Sequence, residues 1–188
     1  MKDCFLETDR LCLRSFNQDM MNGNYVSWLN DPEVCRFNDH HFFPYTEQEA
    51  NDYIKSVADK KNIIALQIIE KESGTHIGNL SLYNINYIYR SAGIGILLGE
   101  KDFWGDGYAK EAICKIIAHG FMELGLNRIF CGTSENNTAM QKIAISLNMT
   151  KEGVSREAVF KNGEFSNLII FSILRKEFIS RIYSCDKK

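Results

Sequence analysis

The sequence predicts an α/β (α+β) fold with a mixed, mostly antiparallel sheet of about seven strands and about four helices on both faces. Two observations predict this class. Apolar runs of strand period and apolar patterns of helical period follow one another in the order β-α-α-β-β-β-α-β-α-β-β. Three consecutive strands joined by polar segments indicate antiparallel neighbours, whereas the β-α-β unit after them requires a right-handed crossover.

The first strand is predicted over residues 8–14, where apolar and polar residues alternate and Leu11 and Leu13 face the core. A weaker helical pattern covers residues 19–30. It ends before Pro32, because the residue that precedes a proline avoids helical geometry.

The next segment, residues 33–44, is irregular, rich in aromatic residues, and contains His40 and His41. It either lines a pocket or packs its rings on the core with the histidines in solvent, and for each residue taken singly the second alternative is favoured. A capping box, Thr46-Glu47-Gln48-Glu49, then starts a helix that we expect to run to about Asp59.

Three strands follow, predicted over residues 63–69, 77–85 and 92–98. The first is almost continuously apolar, which is typical of a strand buried on both faces. The second alternates, and its polar face carries Asn79, Ser81 and Tyr83.

The last third of the chain is predicted to contain a strand over residues 128–133 and a short helix with Asn137 as its N-cap. Two further strands, residues 152–160 and 166–174, are joined by Asn162-Gly163, a dipeptide typical of a hairpin turn.

The length of 188 residues suits one domain with a sizeable core, which we assign to residues 1–175, with a polar tail over 176–188. The composition, 45% apolar and 24% charged, argues against disorder. The formal net charge of -2 gives no global footprint for nucleic acid or a membrane surface, so we expect neither partner, although a local patch stays open. No His, Cys or carboxylate cluster has ligand spacing, so we expect no metal.

The six cysteines form no C-x-x-C pair and several lie in apolar runs, which favours buried free thiols in a reducing compartment. The first seven residues lack the long apolar core of a signal peptide, and no run is long enough to cross a bilayer. We therefore expect a cytoplasmic protein.

The chain is organised around Trp104-Gly105-Asp106-Gly107-Tyr108-Ala109, which stands between strand 92–98 and an amphipathic helix that ends at Gly125. A helix N-terminus presents unpaired N–H groups, and glycines let an anion approach the main chain. The stretch is thus predicted to be a phosphate cradle, with an ordinary loop as the alternative that spacing leaves open. Helical spacing after Gly107 argues against a hairpin, and the glycines of 93–99 are wrongly spaced for a dinucleotide site.

With the element order and its continuation Lys110-Glu111-Ala112, this stretch resembles the GNAT superfamily of acetyl-CoA-dependent N-acetyltransferases, and within it the RimJ/RimL-like branch. Three further segments are similar to that branch: Glu7-Thr8-Asp9-Arg10-Leu11-Cys12-Leu13-Arg14, Trp28-Leu29-Asn30-Asp31-Pro32-Glu33-Val34, and the hairpin from Asn162-Gly163 to Leu174-Arg175. The resemblance covers nearly the whole chain. It implies a GNAT fold whose sheet splays between its fourth and fifth strands.

The resemblance also implies a site for acetyl-CoA as cosubstrate. Main-chain N–H groups of the cradle would hold the pyrophosphate, and the exposed edge of strand 92–98 would pair with the pantetheine arm as an added strand. An N–H near Leu98 would polarise the thioester carbonyl, and Asn137 would contact the CoA arm. The cofactor-binding residues so predicted are Ile96, Leu97, Leu98, Trp104, Gly105, Asp106, Gly107, Tyr108, Ala109 and Asn137.

The chain departs from the family's pattern where a general acid is usual, with Met140 and Ala144 at those places. A thiolate with a thiol pKa of about 8.5 is a tolerable leaving group, so this need not stop the reaction. An ammonium with a pKa of about 10 must lose a proton before it attacks. The candidate bases are Glu100 and Glu135, which follow the splayed strands, with solvated turn carboxylates as the alternative; Ser134 and Tyr83 are weaker candidates.

The predicted acceptor site is lined by Asn79, Ser81, Tyr83, Trp28, His40 and His41. The acceptor is expected to be a small-molecule or peptide amine. Residues 28–34 also resemble amino-sugar acetyltransferases, which slightly favours an amino sugar on a nucleotide carrier over a protein N-terminus. A non-catalytic acyl-CoA-binding module and a homodimer are both left open.

Overall fold

A computed structural model describes residues 3–58 and 60–185 of the chain. It contains one eight-stranded sheet and five α-helices. The strands are β1 (Leu6–Glu7), β2 (Leu11–Ser15), β3 (Ile64–Glu70), β4 (His76–Asn86), β5 (Ser91–Leu98), β6 (Arg128–Ser134), β7 (Thr150–Lys161) and β8 (Glu164–Leu174). The helices are α1 (Tyr25–Asn30), α2 (Glu47–Ala58), α3 (Tyr108–Met122), α4 (Thr138–Ser146) and α5 (Arg175–Cys185), with short 3-10 turns at Gln18–Asn22 and Lys101–Phe103.

The sheet has the order β1-β2-β3-β4-β5-β6-β8-β7, and β5–β6 is its one parallel pair. These two strands pair only at Ser91↔Arg128, Ala92↔Ile129 and Gly93↔Phe130. Beyond Gly93 the strands diverge, and a gap opens between residues 94–98 and the end of β6. The predicted splay between the fourth and fifth strands, the fold class and the antiparallel character are confirmed.

Helices cover both faces of the sheet, as predicted. On one face the buried side chains of α3, among them Ile117 and Phe121, share a core with Leu80 and Leu82 of β4. On the other face a second cluster joins α1 and α2 to Leu97 of β5. The Leu97 side chain points to this face because successive side chains along a strand alternate between the two faces of the sheet. Each face therefore has its own core, and β4 and β5 separate the two.

Local signals in the sequence correspond to the structure at several points. Thr46 and Glu49 form the predicted capping box, with Glu49 N–H donating to Thr46 Oγ1 at 3.2 Å and Thr46 N–H donating to Glu49 Oε2 at 2.8 Å. Asn162 and Gly163 have φ of 54° and 83° at the β7–β8 turn. Asp59, the end predicted for the helix that follows the capping box, lies outside the described residues.

The structure differs from the predictions in two elements. The helical pattern over 19–30 is split, because the chain extends at Gly23 between the 3-10 turn and α1. The two-residue strand β1 was not predicted, since a run this short carries no readable period. The tail after Leu174, for which the sequence leaves a frayed or a helical state open, is helical as α5, and its Phe178 packs on Phe121 with ring centroids 5.4 Å apart.

The expectation of free thiols is wrong for two cysteines. Cys4 and Cys12 form a disulfide with Cα atoms 5.5 Å apart, because β1 folds back on β2 and brings these residues together. Cys35, Cys114 and Cys131 carry free thiols. Across residues 3–58 and 60–185, no helix is both long and apolar enough to span a bilayer.

Candidate active site

The predicted cradle lies at the start of α3, where Gly107 is the N-cap residue with φ 83° and ψ 1°. This left-handed conformation disfavours side chains with a β-carbon, and Gly105 is also left-handed at φ 91°. The first intrahelical bond runs from Glu111 N–H to Gly107 C=O, so the amides of Tyr108 and Ala109 have no acceptor within the helix. The main chain here presents N–H groups and the positive end of a fifteen-residue helix.

Arg10, just before β2, contacts the cradle and holds it in place. Its Nη1 donates to the carbonyl of Asp106 at 3.0 Å, its Nε donates to Glu111 Oε2 at 2.7 Å, and its guanidinium carbon lies 4.1 Å from the Tyr108 ring centroid. Burial alone would raise the pKa of Glu111, but hydrogen bonds from Thr8 and Arg10 outweigh it and lower that pKa. From the sequence alone, Arg10 had no predicted role beyond its place in the first strand and the family-like segment, because its contacts about a hundred residues away carry no local signal.

The edge of β5 that faces the gap is available for pairing. Gly99 N–H donates to Ile77 C=O at 2.9 Å, and Leu98 is in register with Gly78. Because hydrogen-bonded and non-hydrogen-bonded pairs alternate along an antiparallel ladder, Leu98 is turned away from β4. Its carbonyl accepts from Trp104 Nε1 at 3.0 Å, and its N–H points into the gap on the side of β6.

A cavity of about 360 Å³ lies on the other side of β5, beneath α1 and α2. Its lining residues are Phe16, Tyr25, Leu29, Asn38, His40, Tyr45, Tyr53, Asn79, Leu80, Ser81, Gly95, Ile96 and Leu97. Among the described residues, this lining contains no carboxylate, lysine or arginine. The cavity is therefore aromatic and neutral, with amide and hydroxyl groups as its hydrogen-bonding partners.

Four aromatic rings in the lining contact one another edge to face. Tyr25 lies 6.4 Å from Tyr45 and 6.3 Å from Phe16 between ring centroids, and Phe16 lies 6.1 Å from Tyr53. Burial raises the pKa of Tyr25, so its hydroxyl stays protonated at neutral pH. Tyr25 and Tyr53 were not predicted as site residues, because a ring at helical spacing indicates core packing equally well, and Phe16 and Tyr45 lie outside any periodic pattern.

Three of the six residues predicted to contact the acceptor meet in this lining, namely His40, Asn79 and Ser81. Burial lowers the pKa of His40, Lys161 lowers it further and Asp39 opposes both, so the imidazole is neutral at pH 7. Cofactor-arm residues Ile96 and Leu97 lie in the same lining.

The other three lie outside the lining. Trp28 is buried against Gly99, where an added β-carbon would lie 1.9 Å from the indole ring. Tyr83 packs in the same way over Gly93, at 2.4 Å. His41 lies in an exposed loop with φ 63°. The acceptor roles of these three residues stay predictions.

The two candidate carboxylate bases are occupied by hydrogen bonds. Glu100 Oε1 accepts from Asn24 Nδ2 at 2.7 Å and from Trp28 Nε1 at 3.0 Å. Glu135 accepts from Asn167 N–H at 2.8 Å and from its Nδ2 at 2.9 Å, and these bonds lower the pKa of the carboxyl. Neither residue belongs to the cavity lining, and their catalytic roles stay predictions.

The two polar residues predicted near the end of β6 both have local partners. The Oγ atoms of Ser134 and Ser166 are 3.2 Å apart. Asn137 Oδ1 accepts from Met140 N–H at 3.1 Å, as the predicted N-cap of α4. This leaves the Asn137 amide N–H₂ for any further contact. Within the described parts of the chain, no three His, Cys, Asp or Glu side chains group as metal ligands would.

A sheet that opens beside a main-chain anion cradle, with a neutral cavity on the other side of the same strand, defines the site of an acyl-CoA-dependent acyltransferase. A model of the Acetyltransferase (GNAT) domain matches residues 10–150, and the chain belongs to this family. It is an N-acetyltransferase, and the resemblance noted from the sequence is confirmed.

Relatives and solved structures agree with this assignment. The chain is 33% identical to an uncharacterized N-acetyltransferase, p20 of Bacillus licheniformis, over 92% of this chain and 97% of that protein. The Vibrio cholerae spermidine N-acetyltransferase in complex with CoA and spermine superposes with a TM-score of 0.83 at 19% identity, covering 92% of this chain and 99% of that one. RimL, a ribosomal L7/L12 α-N-protein acetyltransferase in complex with coenzyme A, gives 0.80 at 17% identity, covering 89% and 95%.

Proposed function

We propose that this N-acetyltransferase moves the acetyl group of acetyl-CoA directly to the primary amine of a small molecule held in the 360 Å³ cavity. The observation that carries the proposal is the position of β5. One edge of the strand turns the Leu98 N–H into the gap, and its Leu97 side chain lines the acceptor cavity. A thioester laid along that edge and an amine in the cavity would meet at the end of one strand.

The residues present fit acetyl-CoA. The free amides of Tyr108 and Ala109 and the positive end of α3 suit a pyrophosphate, and the left-handed Gly105 and Gly107 leave the main chain open to it. The gap beyond Gly93 gives the pantetheine arm an unpaired strand edge. The Leu98 N–H would stabilise negative charge on the thioester oxygen as it develops.

The acceptor must lose a proton before it attacks. Of the groups in the lining, the neutral His40 imidazole is the one able to accept this proton, directly or through one water. The tyrosines keep their protons, since burial raises the pKa of Tyr25, Tyr45 and Tyr53. Glu100 and Glu135 remain the alternatives, and each would first have to release the hydrogen bonds described above.

The chemistry of the lining favours an amine on an uncharged, hydroxyl-rich body such as an amino sugar, and the charged diphosphate of a nucleotide carrier would lie outside this lining. Sugar C–H faces pack well on aromatic rings, and Asn38, Asn79 and Ser81 supply donors and acceptors for hydroxyls. A polyamine is a poorer fit, because its additional ammonium groups would be buried in the described lining without a carboxylate partner.

A protein N-terminus is the second candidate. The specific observation in its favour is the loop beside the cavity, where Phe43 is 84% exposed and Phe42 is 50% exposed. Exposed aromatic rings at a rim suit the side chains of a peptide. A non-catalytic acyl-CoA-binding module is a third reading, motivated by Met140 and Ala144 at the usual places of a general acid. The homodimer and the cytoplasmic location also remain predictions.

The test is mass spectrometry of reactions containing acetyl-CoA and one of three amines: uridine diphosphate glucosamine, a short peptide with a free N-terminus, or spermidine. We expect a gain of one acetyl group on the amino sugar. A gain on the peptide alone would replace the acceptor proposed here with a protein N-terminus. Binding of acetyl-CoA without transfer to any of the three amines would favour the binding module.

A further inference from the structure

The chain between α1 and α2 forms a strap over the acceptor cavity. This strap, residues 31–44, supplies Asn38 and His40 to the cavity wall. Its base is closed by two reciprocal bonds: Tyr45 N–H donates to Asn30 Oδ1 at 2.8 Å, and Asn30 Nδ2 donates to Tyr45 C=O at 2.8 Å. The base is therefore fixed independently of what happens further along the strap.

The first turn of the strap has its own anchors. Lys101 Nζ lies 2.8 Å from Asp31 Oδ2 and 2.6 Å from Glu33 Oε2, and the Cys35 thiol donates to Trp28 C=O at 3.1 Å. These contacts stop at Cys35, before the two residues that line the cavity.

The tip of the strap, residues 38–42, is held differently. Lys161 Nζ donates to Asn38 C=O at 3.1 Å and to His40 C=O at 2.7 Å, and it lies 4.1 Å from the Phe42 ring centroid. In the described part of the chain, the hydrogen bonds that reach the tip from outside the strap all come from this one ammonium group. The tip's remaining bonds are internal, such as His40 N–H to Asn38 Oδ1 at 2.9 Å.

Lys161 stands far from the strap in sequence. It is the last residue of β7, in register with Glu164 across the hairpin turn, and β7 is the edge strand beyond the gap. Among the described residues it forms no ion pair. Its charge is therefore directed at two carbonyl oxygens and an aromatic face, contacts that are charge-assisted and stronger than neutral hydrogen bonds.

We propose that Lys161 is a positioning residue that latches the tip of the strap across the cavity, so that the C-terminal hairpin holds Asn38 and His40 in place against the acceptor. The inference rests on the proposed function, because it assigns the cavity to the acceptor amine. The latch lies away from the cradle, so it acts on the acceptor and leaves acetyl-CoA binding unchanged.

The test compares three variants of the full chain. K161M removes the ammonium and keeps the aliphatic stem, K161R restores a charged donor, and K151M is a matched control on the same strand, where Lys151 is exposed. Hydrogen–deuterium exchange of peptides covering residues 36–43 measures how often the tip of the strap opens, and it needs no acceptor. We expect exchange to become at least about tenfold faster in K161M, to be largely restored in K161R and to be unchanged in K151M.

Steady-state kinetics measure the effect of the latch on the acceptor, with uridine diphosphate glucosamine as the probe amine. K161M should raise the KM for this amine about tenfold, with the KM for acetyl-CoA unchanged and the Tm lowered by no more than about 6 °C. Unchanged exchange in K161M would overturn the latch. A raised KM without faster exchange would also overturn it, because Lys161 would then contact the acceptor directly. Failure of the proposed function would show separately, as no turnover by the unmodified protein.

Discussion

At the scale of single residues, two glycines share one backbone conformation and differ in what surrounds them. Gly107 at the cradle and Gly163 at the β7–β8 turn both have φ 83°. A β-carbon at Gly163 would meet open space, whereas one at Gly107 would lie 3.7 Å from Arg10 Nη2. A substitution at either position therefore carries the same strain, and only Gly107 adjoins the main-chain amides assigned to the pyrophosphate.

Replacing Gly107 by valine should weaken acetyl-CoA binding by at least about tenfold, because the β-branched side chain disfavours the left-handed turn and blocks the approach of an anion. The G163V variant is the control. Both substitutions should cost on the order of 1–3 kcal/mol of stability, the usual cost of such strain. Isothermal titration with acetyl-CoA distinguishes the two variants by their affinity. Equal affinities in folded G107V and G163V would contradict the assignment of the cradle.

Adjacent residues also show how far the sequence alone could reach. His40 lines the cavity while His41, the next residue, does not and has φ 63°, although both residues are exposed. In an irregular segment no period relates a residue to a face, so the sequence placed both histidines at the site with equal weight. The alternating face of β4 was more reliable, since Asn79 and Ser81 both line the cavity.

At the scale of elements, Arg10 joins the start of β2 to the start of α3. Arg10 N–H donates to Glu111 Oε1 at 3.0 Å, and the side chain bonds both Glu111 and the Asp106 carbonyl. Thr8 Oγ1 adds a bond of 2.5 Å to the same carboxylate. The orientation of the cradle peptide therefore depends on a strand at the other end of the chain.

Replacing Arg10 by methionine should raise the Kd for acetyl-CoA about fivefold, because the Asp106 carbonyl loses its donor and the cradle loses a fixed positive charge. The change in stability should stay within about 1 kcal/mol, since the Arg10 side chain is 42% exposed and such pairs contribute little. R156M is the control, at an exposed arginine of β7. An unaltered Kd for R10M would show that the cradle is oriented without this bridge.

The elements themselves were largely predictable, because their signals are local. Period, caps and turn dipeptides gave β2 to β8 and α2 to α4 within about two or three residues of their observed ends. The sequence could not give the clamp of Arg10 on Glu111, the latch of Lys161 on the strap or the disulfide of Cys4 with Cys12. The first two join residues far apart in sequence through the arrangement of strands in space, and the disulfide depends on the fold-back of β1 on β2, a strand too short to carry a readable period.

At the scale of the whole molecule, the acceptor cavity is assembled from distant parts of the chain. Its walls come from α1, α2 and the strap on one side and from β4 and β5 on the other, and its strap is held by the C-terminal hairpin. In the proposed function, the β5–β6 splay would hold acetyl-CoA along one edge of β5, and the cavity walled by the same strand would hold the acceptor. Acetyl transfer would then depend on the sheet as a unit, and the acceptor's identity on the loops that this sheet supports.

The pH dependence of folding should also be a property of the whole chain. Burial is the largest cause of a lowered pKa at His40, at His76 and at His119. Hydrogen bonds lower the pKa of several carboxyls as well, Glu70 and Glu135 among them. The two sets titrate in different windows, since an unfolded histidine has a pKa of about 6.5 and an unfolded carboxyl about 4.

We expect the free energy of unfolding to be nearly constant between about pH 6.5 and about pH 8 and to fall as the pH is lowered below this range, because the unfolded chain then binds protons that the folded histidines resist. The loss should continue towards the lowered pKa values of the folded histidines. A second loss should begin below about pH 4.5, where carboxyls of the unfolded chain bind protons that the hydrogen-bonded carboxylates of the fold resist. Urea unfolding at pH 7.5, 6.5 and 5.5 measures the first window, and the H76Q variant should have a smaller slope there. Equal stability of the unmodified protein at pH 7.5 and 5.5 would contradict histidines that the fold holds neutral.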